Sequence, residues 1–78
     1  MNITLYTLST CPFCVRAQQL LDSKGLEYTN HVMDGKDAEL MAAKKEHGHP
    51  TVPIVIVDGK LIGGASELAA FDAQGGLG

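Results

Sequence analysis

Ser9-Thr10-Cys11-Pro12-Phe13-Cys14-Val15 decides the fold, because an alternating pattern gives way there to a helical one, and Cys11 and Cys14 are the only cysteines among 78 residues. Before it, Asn2 to Thr7 alternates, with Ile3 and Leu5 on one face and Thr4 and Tyr6 on the other, which predicts a first strand. After it, Cys14, Ala17, Leu20 and Leu21 recur at helical spacing, with Arg16, Gln19 and Ser23 opposite, and Gly25 supplies a left-handed stop after Lys24. Pro12 fits the first helical position, where its missing N–H has no partner to lose, and this makes Cys11 the N-cap. A sulfur at that position can accept the free N–H groups of Phe13 and Cys14. It also lies at the positive end of the helix dipole, so its thiolate form is favoured.

Further along, Leu26 to Val32 predicts a second strand, Asp34-Gly35 a turn, and Asp37 to His47 a second helix that ends at Gly48. Pro53-Ile54-Val55-Ile56-Val57 is the most apolar run; Asp58-Gly59 joins it to Lys60-Leu61-Ile62, the strongest short-range hairpin signal. Gly63-Gly64 ends the sheet, and Ser66 is the expected cap of a last helix, Glu67 to Phe71. The order is βαβαββα in one domain spanning residues 1–78: an α/β fold with a mixed four-stranded sheet flanked by three helices. The first two strands are expected to be parallel and the last two to form an antiparallel hairpin. The change of strand order makes the loop holding Cys11 a functional edge.

Composition removes several classes of function. The chain is 45% hydrophobic, with a formal net charge of −3, and its one adjacent cation pair, Lys44-Lys45, runs into Glu46. That pattern suits a solvated helix face and argues against a nucleic-acid partner, which would need clustered basic residues. No apolar run approaches the roughly 18 residues of a membrane span, and Met1 to Thr7 lacks the features of a secretory leader, so a cytoplasmic location is expected, without membrane association. In a reducing cytosol a disulfide is more often transient and catalytic than structural.

Cys14 falls one turn inside the helix, on the apolar stripe of Ala17 and Leu21, so its thiol is expected to be buried and protonated at rest. Side chains at this spacing lie about 5–6 Å apart between Cβ atoms, and a disulfide needs about 3.5–4.5 Å, so the pair can open and close without refolding. Cys11 is then the attacking thiol and Cys14 the resolving one. A zinc site would need two more ligands, and His47-Gly48-His49 lacks the usual gap between paired histidines. An idle structural pair is the third alternative; a C-x-x-C beside a βαβ pattern favours redox chemistry over both.

With these residues the sequence resembles a glutaredoxin, a dithiol member of the thioredoxin superfamily. The resemblance rests on three motifs in order: Cys11-Pro12-Phe13-Cys14, Thr51-Val52-Pro53, and Gly63-Gly64 before a polar helix start. It implies a thioredoxin-like fold and glutathione-dependent reduction of glutathione mixed disulfides and protein disulfides, with glutathione as cosubstrate and no metal required. Pro12, Phe13 and Pro53 support the active site. Pro53 is expected to be cis, which leaves the Val52 backbone free to pair with the cysteinyl unit of glutathione. Thr51, Val52, Pro53, Gly64, Ser66 and Glu67 form the glutathione site, the N–H groups of Ser66 and Glu67 receiving the γ-glutamyl carboxylate. Partners implied are glutathione and glutathionylated or disulfide-containing proteins, ribonucleotide reductase being one that the resemblance admits, and a monomer is expected. Two alternatives share the fold: a protein-disulfide reductant fed by a flavin reductase, and a carrier of a glutathione-ligated iron–sulfur cluster.

The chain departs from the family pattern in places. Phe13 replaces a usual tyrosine, Leu8 a lysine before the first cysteine, and His49-Pro50 a basic donor before Thr51. Both latter changes remove fixed positive charge, leaving Lys44, Lys45, His47 or His49 as substitutes for the glycyl carboxylate. His49 is the foremost of these because it adjoins the motif and its charge varies near neutral pH. His31 and His47 are expected at the surface, and Met33 and Met41 in the core.

Overall fold

The computed structural model describes residues 1–78 and runs β1 (Ile3–Thr7), α1 (Pro12–Ser23), β2 (Thr29–Val32), α2 (Asp37–His47), β3 (Ile54–Val57), β4 (Lys60–Gly63) and α3 (Ala65–Ala73). Sheet order is β2-β1-β3-β4, with β1 parallel to β2 and antiparallel to β3, and β3 antiparallel to β4. The expected mixed sheet with three helices is therefore present.

β3 is buried at all four positions because both faces of the sheet are covered. Val55 and Val57, with Ile3 and Leu5 of β1, pack on Ala17 and Leu21 of α1 and Leu68 of α3. Ile54 and Ile56 turn the other way, onto Met33 and onto Leu40 and Ala43 of α2. A strand whose alternate residues serve two cores cannot show polar alternation, and this is why it reads as one continuous apolar run.

The hairpin closes through Asp58 (φ 50°) and Gly59 (φ 80°); two successive positive φ values match the right-handed twist of the strands. A register shift opposite Val55/Ile56 then bends β4. Gly63, at φ 125°, follows the bend, and a Cβ there would lie 2.8 Å from Cγ of Glu67. Only glycine therefore lets β4 pass directly into α3. Lys24 and Asp72, 2.7 Å apart, clip the ends of α1 and α3 together. No helix is long and apolar enough to cross a membrane.

Four expectations need correction. β2 starts at Thr29 rather than Leu26, because the Leu26 N–H is engaged by the Leu21 carbonyl at the end of α1 (3.2 Å). α3 starts at Ala65 with Gly64 as its N-cap, so Ser66 stands inside the first turn and caps nothing; the Glu67 carboxylate reaches back to the Gly64 N–H (2.7 Å) instead. Met33 is in the core, but Met41 is 70% exposed, on the outer face of α2. His47 is half-buried against the Tyr6 ring (centroids 5.9 Å), while His31 is exposed, as expected, and stacked on the same Tyr6 ring (5.0 Å).

Candidate active site

The local sequence of the β1–α1 loop places the thiols. Cys11 has the extended backbone of an N-cap (φ −93°, ψ 111°), and its Sγ accepts the Cys14 N–H at 3.2 Å. The second expected donor, the Phe13 N–H, is not engaged. Cys11 is partly exposed and Cys14 fully buried, both as free thiols. Burial, with the Cys11 sulfur beside it, pushes the Cys14 thiol up to about 12 from its ordinary 9.0, against the Leu8 backbone, which favours the charged form. The two cysteines are thus differentiated as expected, one at the surface on a helix terminus and one inside and protonated.

Two further sets of contacts hold this loop. Ser9 donates its N–H to Oδ1 of Asp34 (3.0 Å) and its hydroxyl to Oδ2, tying the cysteine loop to the β2–α2 turn. Those bonds hold the Asp34 carboxyl below its usual range. Beneath the helix, the Thr7 hydroxyl donates to Oδ1 of Asn30 (2.7 Å), the Asn30 amide to Oε1 of Gln18 (3.3 Å), and the Gln18 amide to the Cys14 carbonyl (3.3 Å). Neither set is apparent in the sequence. Only polar residues at scattered positions signal them, and their pairing exists only in three dimensions.

Opposite Cys11 stands the β3 approach. The Val52–Pro53 bond is cis and Pro53 is buried. The Cys11 thiol faces the Val52 carbonyl at 3.9 Å, and the Val52 N–H makes no backbone hydrogen bond. A cleft of about 160 Å³ opens beside them, lined by Phe13, His49, Thr51, Val52, Pro53 and the start of α3 from Gly64 to Glu67. A Cβ on Gly64 would lie 3.2 Å from Oε1 of Glu67, 3.6 Å from Nε2 of His49 and 3.7 Å from the Pro53 carbonyl, so distant parts of the sequence converge there. His49 also contacts the Thr51 hydroxyl at 3.3 Å. At the start of α3 the N–H groups of Ala65, Ser66 and Glu67 have no intrahelical acceptors, which makes that end of the cleft receptive to a carboxylate. Of the site residues predicted from sequence, Phe13, His49, Thr51, Val52, Pro53, Gly64, Ser66 and Glu67 line this cleft, Cys11 caps α1 beside it, and Pro12 and Cys14 lie in the first turn of α1; Ala65 is the one lining residue that prediction omitted.

The largest cavity, about 450 Å³, is elsewhere: it lies at the end of α2 among Met41, Lys44, Lys45, Gly48, His49 and Pro50 and shares only His49 with the cleft. Of the candidate cations, His49 is the one in the cleft itself. No group of three or more His, Cys, Asp or Glu side chains assembles a metal-binding cluster.

Comparison with known proteins points the same way. The family model described as glutaredoxin matches residues 3–62. The chain is 43% identical over 76 residues to Glutaredoxin 3 of Escherichia coli (strain K12), covering 97% of this chain and 92% of that one. Among solved structures it is similar to the buckwheat glutaredoxin–glutathione complex (TM-score 0.88, 29% identity, 96% of this chain and 71% of that one). It is likewise similar to a dithiolic glutaredoxin from Trypanosoma brucei brucei (TM-score 0.81, 35% identity, 96% and 80%).

Proposed function

The chain belongs to the glutaredoxin family and is a glutathione-dependent thiol-disulfide oxidoreductase; on that premise we propose that Cys11 is its attacking thiolate and Cys14 its resolving thiol, with residues 1–78 working as one catalytic unit. The observation that carries this assignment is the partly exposed Cys11 at the N-cap of α1, its sulfur accepting the Cys14 N–H. The positive end of the α1 dipole faces that sulfur, with no fixed cation at Leu8.

With a glutathione mixed disulfide, the Cys11 thiolate attacks the glutathione sulfur, the old S–S bond breaks, and the other thiolate leaves and takes up a proton. Cys11 is now glutathionylated. A second glutathione, as thiolate, attacks the glutathione sulfur held on Cys11; glutathione disulfide leaves and the Cys11 thiolate returns. With a protein disulfide, Cys11 forms a mixed disulfide with one sulfur. Cys14 then loses its proton and attacks Cys11, so that the substrate leaves as a dithiol and Cys11–Cys14 as a disulfide for two glutathiones to reduce.

Glutathione lies along the cleft. Its cysteinyl unit pairs with the free Val52 backbone beside Thr51 and Pro53, and its γ-glutamyl carboxylate takes the N–H groups of Ser66 and Glu67 past Gly64. Its glycyl carboxylate lies toward His49, with Lys44 and Lys45 beyond. Pro12 and Phe13 shape the thiol's approach. Protein partners are glutathionylated or disulfide-bonded proteins, and the reaction belongs in the reducing cytoplasm. No observation favours the flavin-reductase-fed or iron–sulfur alternatives.

Turnover of a glutathione mixed disulfide, with glutathione and glutathione reductase, tests the assignment. Cys14→Ser keeps glutathionyl transfer and loses most protein-disulfide reduction, whereas Cys11→Ser loses both; an active Cys11→Ser enzyme would overturn these roles.

A further inference from the structure

A second groove, of about 290 Å³, runs between α1 and α3 beside the cleft. Phe13, Arg16 and Leu20 form its α1 wall, at the spacing of one helical face, and Ala65 and Ala69, one turn apart, its α3 wall. The alanines are why the trough exists: their short side chains leave space between α1 and α3 that a larger residue would fill. Its volume falls just below the roughly 300 Å³ at which drug-sized ligand pockets begin, which suits a side chain rather than a cofactor.

Two features indicate what covers it. The Arg16 guanidinium sits 5.3 Å from the centroid of the half-exposed Phe13 ring and forms no ion pair, although the chain carries more acids than bases. An unpaired cation at the lip of an apolar trough complements an acidic residue next to an apolar one. Phe13, Ala65 and Ser66 line both the groove and the cleft, so a polypeptide lying along the cleft can extend into the groove. Glutathione does not fill it, because that tripeptide has no apolar side chain to offer.

We propose that the α1–α3 groove is a docking site for protein disulfide substrates, seating an apolar side chain near the substrate cysteine while a neighbouring carboxylate pairs with Arg16. This rests on the dithiol assignment above, and the experiment separates the two. Reduction kinetics are measured for a peptide with an internal disulfide flanked by Leu and Glu, for its counterpart with Lys in place of Glu, and for a small-thiol glutathione mixed disulfide. Arg16→Glu and Ala69→Leu, both on exposed helix surface, are each expected to raise KM for the Leu/Glu peptide about tenfold, while turnover of the small mixed disulfide stays within about twofold of wild type. Arg16→Glu should recover on the Lys peptide. Unchanged peptide KM in both variants, or equal losses on the peptide and the small substrate, would overturn the docking site. Failure of the wild-type protein to turn over the small mixed disulfide would instead overturn the dithiol assignment.

Discussion

The buried proton of Cys14 leads to a measurable alkaline weakness. Cys14 has no exposed surface, and its thiol is pushed up from 9.0 to about 12 by burial first and by Cys11 second. A folded pKa above the unfolded one means that, between the two, the folded chain holds a proton that the unfolded chain has released. The stabilisation is complete below pH 9 and is lost as pH rises toward about 12. Three pH units correspond to at most about 4 kcal/mol. For a chain of this length, whose net stability is on the order of 4–12 kcal/mol, that is a large share. Urea unfolding of the reduced protein between about pH 8 and pH 11, beside Cys14→Ala, isolates the effect because every other alkaline group is common to both chains. The stability difference between the two should narrow steadily above pH 9. Parallel curves would show that the native fold does not hold the Cys14 proton. Burial, the larger cause, persists through the reaction, whereas the Cys11 contribution is gone once that sulfur is bound in a mixed disulfide.

Other perturbations test the supports of the site. Thr7→Val keeps the shape of a fully buried residue but leaves the Asn30 oxygen without its donor; a cost of about 1–3 kcal/mol should lower Tm by about 4–8 °C per kcal/mol, and Thr7→Ser should restore most of it. Gly63→Ala forces a side chain into the Glu67 methylenes at a φ of 125°, and calorimetry should register a loss of about 1–3 kcal/mol together with weaker glutathione binding. Asp34→Asn removes a carboxylate whose pKa is lowered by Ser9. Because that contribution is present above the ordinary 3.8 and fades as pH falls through the lower folded value, the variant should melt below wild type at pH 7, and the gap should close in acid.

Much of the fold was legible because its signals are local. Pro12 after Cys11 specified a helix start, Asp58-Gly59 specified a hairpin, and the alternation of Ile3 and Leu5 with Thr4 and Tyr6 specified β1 as a strand. Misreadings arose where a partner distant in space set the outcome. Ser66 is the better cap by residue type, yet the Glu67 carboxylate serves Gly64 and moves the start of α3 two residues back. Met41 read as core because methionine is a common core filler, although α2 buries little beyond Leu40 and Ala43. The gathering of Thr51-Val52-Pro53 with Gly64 and Glu67 was anticipated by resemblance, since nothing within either segment names the other. Arg16 read as an ordinary outward-facing helix residue, and only the position of α3 gives it a neighbourhood.

The side-chain relay under α1 offers the experimenter a reporter. Thr7, Asn30 and Gln18 donate in one direction, head to tail, ending on the carbonyl of the peptide that carries Cys14. That order fixes the rotation of both carboxamides and shelters one N–H of each from solvent. Any shift of the Cys14 peptide as its sulfur joins Cys11 would pass first into the Gln18 amide, whose NMR resonance would record the oxidation state without a label.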